Sequence, residues 1–446
     1  MTLPSVSVSS PNHASPTRQR AIIAGIAGNV MEWYDFAVYG YFATVIGSQF
    51  FPAKDPTSSL IAAFGVFAAG FLMRPLGSLV FGHVGDKLGR KLALTASVMV
   101  MAVPTFLIGL LPTYEQAGLT APALLVVLRL VQGLSVGGEY TTSGVFLVEQ
   151  SEPQHRGFLG SFVPLGATFG VLLGSAISAA VTTVLNQGAI NSWGWRLAFL
   201  LGLVVGAAGF AIRRQLADDR SAPGGMPPAT APIRDAFGME WRKILKVVGL
   251  NAAGAVAYYM CFVYVTTYLR QIDFIAASTA LDINTLALLA LAVTIVPMGI
   301  LSDRLGRKPV LLAATGGLFV LALPLFWMLH HTEAIIVLLG QVVFAILNAA
   351  YWGPNTATMV ELAPGRSRCT VMSVGYNLVL AVLGGATPMV AVYTIRESGY
   401  DLSPAALVMA AAAISFLVIA TISPNPNKSF LSATDEPRRA QDRLQR

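Results

Sequence analysis

Two carboxylic acids lie three residues apart in an apolar stretch near the start of the chain. The stretch reads GNVMEWYDFAVYG, residues 28–40, and its acids are Glu32 and Asp35. Residues with this spacing share one face of a helix. An ionised acid at membrane depth is costly and usually faces a bundle interior or a watery cavity. The stretch therefore predicts proton uptake and release, with Asp35 as first candidate and Glu32 as second.

An arginine in a later apolar stretch is the predicted partner of Asp35. Asp35 lies ~21 Å along its helix from one membrane face, and Arg129 lies ~14 Å along its own helix from the other. In a hydrocarbon core ~30 Å thick these depths are similar, so we expect a contact if the two helices are neighbours. The arginine would keep the acid ionised, and separation would favour protonation. A static ion pair that fixes helix packing is the alternative.

A third acid, Glu139, follows Arg129 by ten residues, or ~15 Å along one helix, and so cannot pair with it. Its surroundings, GLSVGGEYTT, contain small residues that let helices approach closely. Two interpretations of Glu139 stand side by side. It is either a further proton carrier or a packing and gating residue.

Substrate binding is predicted for polar side chains inside the apolar stretches. Arg74, in FLMRPLG, offers a fork of donors suited to a carboxylate, although its position also suits a gate near the cytoplasm. Arg129 is a second candidate. The remaining candidates are tyrosines and amides, for which helix packing is the alternative: Tyr34, Tyr258, Tyr259, Asn355, Tyr376 and Asn377.

Chain composition indicates which elements must position these residues. Of the 446 residues, 55% are hydrophobic and 11% are charged, and the mean hydropathy is +0.65. A soluble domain carries roughly twice this charged fraction. Long apolar runs recur, about 20 residues span a bilayer as a helix, and the runs do not alternate as barrel strands would. The predicted fold class is an all-α polytopic membrane protein.

Polar breaks divide the chain into twelve predicted transmembrane helices in two six-helix bundles. We predict a cytoplasmic tail over 1–20, a first bundle over 21–212, a linker over 213–243, a second bundle over 244–422 and a cytoplasmic tail over 423–446. The linker is rich in Pro, Gly and charge, as is typical of a connection. The helices are predicted near 21–50, 59–81, 92–111, 120–147, 157–184, 195–212, 244–269, 282–301, 310–329, 334–360, 369–395 and 403–422.

The distribution of basic residues predicts the orientation in the membrane. Of the 29 Lys and Arg residues, Arg74 and Arg129 lie deep inside predicted helices, four lie in loops or at helix ends on one side, and the other 23 lie in loops, tails or helix ends on the side of the termini. By the positive-inside rule both termini are cytoplasmic. The net charge of +7 is therefore a topological signal, and no nucleic-acid partner is predicted.

Two internal repeats relate the halves of the chain. GHVGDKLGRK, residues 82–91, and GILSDRLGRK, residues 299–308, share one pattern and lie 217 residues apart. EQSEPQHR and ELAPGRSR each place a glutamate seven residues before an arginine, and these glutamates lie 212 residues apart. Similar offsets at equivalent places indicate two parallel six-helix halves, which is a known transporter plan.

With these motifs the chain resembles the major facilitator superfamily, of which the GxxxD[KR]xGRK loops are a hallmark. The stretches GNVMEWYDFAVYGYFA, RLVQGLSVGGEYTTSGVFLVEQ and WGWRLAF narrow the resemblance to the metabolite:proton symporter family, with α-ketoglutarate, citrate, shikimate, dicarboxylate and proline/betaine permeases. The resemblance implies that loop ion pairs latch the halves together at the cytoplasmic end; simple positive-inside anchoring is the alternative. The latch candidates are Asp86, Arg90, Asp303, Arg307, Glu149, Arg156, Glu361 and Arg368.

The sequence therefore predicts a proton-coupled symporter of the cytoplasmic (inner) membrane that imports a small carboxylate-bearing metabolite by alternating access. An organic acid, such as a keto, di- or tricarboxylate, is the first choice of substrate, and a proline- or betaine-type zwitterion is the alternative. An uncoupled facilitator or solute sensor is the rival from another class. No enzyme motif, metal-ligand spacing or cofactor fingerprint accompanies these residues. The predicted partners are a metabolite, protons and membrane lipid, and the predicted state is a monomer.

Overall fold

The computed structural model describes residues 16–78, 80, 90–137, 139–149, 151–214, 240–363 and 368–423. Every regular element in these ranges is helical. The first part of the chain contains α1 (Pro16–Tyr41), α2 (Ala43–Phe50), α3 (Pro56–Leu72), α4 (Arg90–Leu110), α5 (Thr120–Ser135), α6 (Glu139–Glu149), α7 (Phe162–Val184) and α8 (Trp195–Arg214).

The second part contains α9 (Trp241–Tyr259), α10 (Val265–Gln271), α11 (Ala277–Leu305), α12 (Arg307–Leu329), α13 (Ala334–Leu362), α14 (Arg368–Val379), α15 (Thr387–Ser398) and α16 (Pro404–Ala420). A π-helical turn, Met260–Tyr264, joins α9 to α10, and a second, Leu380–Gly384, joins α14 to α15. Short turns complete the described part: Tyr114–Ala117, Pro153–His155, Arg156–Gly160, Gln187–Ala189 and Ile190–Gly194.

Many of these helices have the length and composition of membrane spans. Among the described residues, nine helical stretches are long and apolar enough to cross a bilayer, one of them (Thr120–Glu149) running over residue 138, which is not described. Two shorter apolar helices, Thr95–Leu110 and Pro404–Ala420, accompany them. Backbone groups in lipid must be satisfied within the segment, which a helix achieves. The all-α polytopic prediction is confirmed. The count of twelve and the cytoplasmic position of both termini stay predictions.

Helix packing repeats between the two parts of the chain. In the first part α1 packs on α7, α3 on α5, and α4 on α8; in the second, α9 packs on α14, α11 on α13, and α12 on α16. These are equivalent pairs under the sequence repeat. The two parts meet where α7 packs on α11 and α3 on α15. These two helix pairs form the interface between the halves.

The structure divides one predicted helix at the place where that helix meets α3. The stretch 120–147 was expected as one helix, but α5 ends at Ser135 and α6 begins at Glu139. Glycines bring this region against the end of α3: a Cβ on Gly133 would lie 1.9 Å from the Gly70 carbonyl oxygen, and a Cβ on Gly137 would lie 2.3 Å from the Arg74 carbonyl oxygen. Only glycine permits backbones to approach so closely. These contacts hold α5, which contains Arg129, against the end of α3, which Arg74 follows.

Candidate substrate and proton site

Asp35 lies fully buried on α1 and accepts three hydrogen bonds inside the first half. Arg129 Nη1 on α5 donates to its Oδ2 at 2.6 Å. The Thr105 hydroxyl on α4 and the Gln132 amide on α5 each donate to its Oδ1 at 2.8 Å. The expected contact between Asp35 and Arg129 is therefore present. Both oxygens of this buried carboxylate are thus satisfied by side chains of α4 and α5.

Arg129 is held in place by an aromatic ring as well as by the acid. Its guanidinium carbon lies 3.8 Å from the centroid of the Tyr39 ring, which is within the range of a cation–π contact. The residue is 1% exposed, so its charge depends on these neighbours. Separating Arg129 from Asp35 would leave two buried charges without compensation, which is strongly unfavourable unless the acid takes a proton.

A second buried ion pair joins Glu32 on α1 to Arg74, which follows α3. The Arg74 guanidinium carbon also lies 4.6 Å from the ring centroid of Phe71 and 5.2 Å from that of Phe36. Its Nε and Nη1 atoms are buried and have no hydrogen-bond partner among the described residues. Two donors of Arg74 are thus available to a carboxylate. The sequence predicted Glu32 and Arg74 as functional residues but did not predict that they pair. Once Asp35 is matched with Arg129, Arg74 is the arginine left among the candidates inside the helices, and Glu32 is an acid left to pair with it.

Aromatic side chains from both halves meet beside this pair and form what we call the aromatic cluster. Trp33 lies 5.4 Å from Tyr258 and 6.0 Å from Tyr259 between ring centroids. Tyr140 stacks on Tyr376 at 4.5 Å with ring planes 6° apart. The members are Trp33, Tyr140, Tyr258, Tyr259, Trp352 and Tyr376. Trp33 and Tyr140 were not predicted, although each is a polar aromatic in an apolar stretch.

The aromatic cluster contains many polar atoms that the described residues leave unsatisfied. These buried atoms are the hydroxyls of Tyr140, Tyr258, Tyr259 and Tyr376 and Nε1 of Trp33 and Trp352. Both polar atoms of the predicted Asn355 side chain, three residues after Trp352 on α13, are buried without a hydrogen bond as well. A buried polar group without a partner costs roughly 1–3 kcal/mol, and native proteins keep few of them. Their concentration where the halves meet indicates a site whose polar groups are satisfied by a bound solute or by water.

Two predicted binding residues have hydrogen-bond partners outside the aromatic cluster. The Tyr34 hydroxyl donates to the Ala198 carbonyl of α8, so it points into the first half, because that face of α1 packs on α8. The Asn377 amide donates to the carbonyl of Gly137 and therefore bridges the two halves. The side chain of Glu139 lies outside the described part of the structure.

Asp303 connects the two halves at the predicted cytoplasmic end. Its Oδ1 accepts the backbone N–H of Gly157 at 2.9 Å, and its Oδ2 accepts that of Phe158 at 2.8 Å. Arg307, one turn further along the chain, donates to Oδ1 at 2.6 Å. A carboxylate of the second half thus binds the start of a helical turn in the first half, where N–H groups lack partners.

Four further residues at this end form ion pairs that cross between halves. Glu149 pairs with Arg368, and Arg156 pairs with Glu361 at 3.8 Å. The sequence had grouped each glutamate with the arginine seven residues later in its own half. We call these four residues, with Asp303 and Arg307, the cytoplasmic latch. Of the remaining candidates, Asp86 lies outside the described residues, and Arg90 begins α4 with its side chain outside them.

Reversing the charge of Arg368 is expected to open the cytoplasmic latch. Arg368→Glu places two like charges together, and such a contact costs several kcal/mol. We expect the rate of solute uptake to fall about tenfold, and Glu149→Arg in the same chain to restore it. Uptake by purified protein in liposomes measures both. The control is Lys243→Glu, because Lys243 pairs with Glu240 at 2.9 Å within one half. Failure of the double variant to recover would contradict a direct pairing.

A contact at the opposite end also joins the two halves and was not predicted. Arg396 on α15 lies 3.3 Å from the carboxylate of Asp55 and donates to the Ser58 hydroxyl at 3.1 Å. The hydrogen bond from the Ser58 hydroxyl, with that from the Thr57 backbone, lowers the pKa of Asp55 below its usual value. The stabilisation from the ionised carboxylate is therefore fully present above the usual pKa of an aspartate. It is lost only as the pH falls through the lowered pKa of Asp55. We call this pair the outer latch.

The fold and the paired buried charges define a class of protein, and comparison with known sequences agrees. The model of the Major Facilitator Superfamily matches residues 25–388. The chain belongs to this superfamily. It is a multi-pass protein of the inner membrane, and its relatives are transporters, so the prediction of a transporter and not an enzyme is confirmed.

Curated relatives narrow the resemblance. The chain is 34% identical to the glycine betaine/proline/ectoine/pipecolic acid transporter of Dickeya dadantii (strain 3937), over 93% of this chain and 85% of that protein. It is 32% identical to the proline/betaine transporter of Escherichia coli (strain K12), with the same coverage. The predicted resemblance to proline/betaine permeases is confirmed. These names favour the zwitterion alternative, and an organic acid as substrate is not supported.

Solved structures agree on the fold. A partially occluded, inward-open structure of the xylose transporter XylE from E. coli aligns with a TM-score of 0.74 at 16% identity, covering 92% of this chain and 98% of that one. A D-xylose–proton symporter structure aligns with a TM-score of 0.72 at 17% identity, covering 92% and 99%. At such identity the likeness concerns the fold.

Proposed function

We propose that the chain imports a zwitterion of the proline or betaine type together with protons, by alternating access between the two halves. The observation that carries this proposal is the position of Arg74 beside the aromatic cluster. Its guanidinium carbon lies 5.9 Å from the ring centroid of Trp33, and Trp33 in turn contacts Tyr258 and Tyr259. A carboxylate-binding group thus adjoins a set of aromatic faces.

The two parts of such a site suit the two ends of a zwitterion. The faces of Trp and Tyr rings attract a quaternary or secondary ammonium, and aromatic cages are known to bind this class of ligand. The free donors of Arg74 suit the carboxylate at the other end. A di- or tricarboxylate would instead place a second negative charge among ring faces, which carry partial negative charge.

Glu32 offers a physical link between solute binding and protonation. The incoming carboxylate competes with Glu32 for Arg74, because both bind the same guanidinium. A carboxylate displaced from its cation inside a low-dielectric site favours its protonated form. Asp35, with Arg129, supplies the second site at which a proton can move as the halves rearrange. We assign Asp35 the step that couples to the conformational change.

We also infer the topology assigned from the sequence: twelve spans, a linker over 213–243, and both termini in the cytoplasm. The repeated packing of equivalent helices supports a division into two six-helix halves. The positive-inside distribution supports the orientation. With this orientation, the cytoplasmic latch and the outer latch lie at opposite mouths of one path.

Uptake by purified protein in liposomes tests the proposed function. We expect glycine betaine and proline to accumulate only with an acid exterior, and a protonophore to abolish accumulation. α-Ketoglutarate and citrate under the same gradient serve as comparison solutes and should show no protein-dependent uptake. Equilibration without accumulation would indicate an uncoupled facilitator, and accumulation of the organic acids alone would overturn the choice of substrate.

A further inference from the structure

A cavity of about 320 Å³ lies between the halves at the end that carries the outer latch. Its walls come from the first half through Thr44 and Gln187, and from the second half through Arg270, Gln271 and residues 275–277. One water requires only about 10–15 Å³ of such space, so the cavity is large enough for a small solute. Neither the aromatic cluster nor either latch contributes to its lining.

Arg270 is the charged residue that lines this cavity. It lies in the last turn of α10, is partly buried, and has no ion pair or hydrogen bond to any described residue. The other arginines at this end are occupied: Arg196 donates to the carbonyl of Leu111 at 2.6 Å, and Arg396 binds Asp55. The nearby acid Asp273 is paired with His330 at 2.5 Å. The guanidinium of Arg270 therefore keeps its donors for the contents of the cavity.

The cavity also stands in line with the central site. Thr44 lies on α2, which continues α1 beyond the ion pairs of Glu32 and Asp35. Arg270 lies in the last turn of α10, which continues α9 beyond Tyr258 and Tyr259. A solute that enters between these elements passes Arg270 before it reaches the aromatic cluster. An unpaired positive charge at such a mouth attracts anionic groups and raises their local concentration.

We propose that this cavity is an entry site at which Arg270 binds the carboxylate of the solute before the solute moves to the central site. The inference rests on the proposed function for the identity of the solute, but its chemistry, recognition of a carboxylate by a free guanidinium, stands on the cavity itself. Arg270 would set how readily the solute is captured from outside, whereas Arg74 would hold it during transport.

Uptake kinetics in liposomes give the first test. Arg270→Gln is expected to raise KM for glycine betaine about fivefold, as for a partly solvated charged contact, and to leave kcat within twofold. Choline has the cation without the carboxylate, so its inhibition constant should not change. Lys54→Gln is the matched control, since Lys54 is an exposed cation on the same face. A KM for Arg270→Gln within twofold of the unmodified protein would overturn the proposal.

A thiol-labelling experiment tests the cavity without relying on transport. Cys261 is buried, so Cys369→Ser leaves no exposed thiol among the described residues, and Gln271→Cys then places one in the cavity wall. We expect an anionic methanethiosulfonate to react faster than a cationic one, and Arg270→Gln to remove this preference. If the preference holds while neither betaine nor proline is transported, the proposed function fails and the anion site stands. Absence of the preference overturns the site.

Discussion

Replacing Asp35 by asparagine is expected to abolish proton-driven accumulation of solute while preserving exchange of preloaded solute. Asparagine keeps the shape of the side chain but carries no exchangeable charge for Arg129 to balance. Without a titrating group the coupling free energy between proton and solute is lost, so the internal and external concentrations approach a ratio of about one. Accumulation and exchange are measured separately in liposomes, with and without an acid exterior.

Two comparisons isolate the charge of Asp35 from its packing. Thr105→Val removes a hydrogen bond from an uncharged donor to the same carboxylate and should retain gradient-driven accumulation. Asp35→Asn also leaves Arg129 buried without its counter-charge, so its thermal stability should fall, since breaking a buried pair costs roughly 3–5 kcal/mol. Asp35→Asn/Arg129→Gln should regain stability without regaining accumulation. Concentrative uptake by the single variant at the unmodified level would assign the proton to another acid.

Features fixed by distance along one helix were predictable from the sequence. Depths of Asp35 and Arg129 follow from rise per residue, and the residues indeed meet at 2.6 Å. The all-helical class follows because lipid leaves the backbone few alternatives. The small residues around Glu139 predicted a close approach of helices, which α3 and α5 make. The break between α5 and α6 was not predicted. That break depends on which backbone atoms face Gly137.

Features that depend on how the halves dock were not predictable from one sequence. The stack of Tyr140 on Tyr376 joins residues more than 200 positions apart, and no periodicity reports such a contact. Glu149 could pair with Arg156 in its own half or with Arg368 in the other half, and either arrangement satisfies its charge. The structure has the pair with Arg368. The sequence repeat indicates that each loop contains a glutamate and an arginine. Which of them form ion pairs depends on how the two halves pack together.

Charged contacts join the two halves at both ends of the structure, as the proposed alternation between two openings requires. The cytoplasmic latch joins the halves through Asp303 and the crossed ion pairs, and the outer latch joins them through Asp55 and Arg396. With both ends joined, the aromatic cluster is buried from either side. Opening one end separates its charged contacts, while the charged contacts at the other end can still hold the halves together.

Replacing Arg74 by glutamine is expected to weaken binding of glycine betaine and proline by roughly 10- to 100-fold, because a charge-assisted hydrogen bond contributes about 1.5–3 kcal/mol. Choline lacks the carboxylate, so its binding should change little if the aromatic cluster holds the cation. Binding to purified protein in detergent, by calorimetry or by quenching of tryptophan fluorescence, gives both constants. A loss of affinity for glycine betaine but not for choline would show that Arg74 binds the carboxylate of the ligand.

The partner of Arg74 supplies the control for misfolding. Arg74→Gln leaves Glu32 near an uncharged side chain, which is unfavourable in a buried site. Arg74→Gln/Glu32→Gln removes both charges, so we expect thermal stability to recover while betaine binding stays weak. Glu32→Gln alone leaves Arg74 without its competitor and should tighten betaine binding and reduce the proton uptake that accompanies it. Unchanged affinity in Arg74→Gln, or equal losses for betaine and choline, would remove Arg74 from the binding site and with it the exchange of carboxylates proposed for coupling.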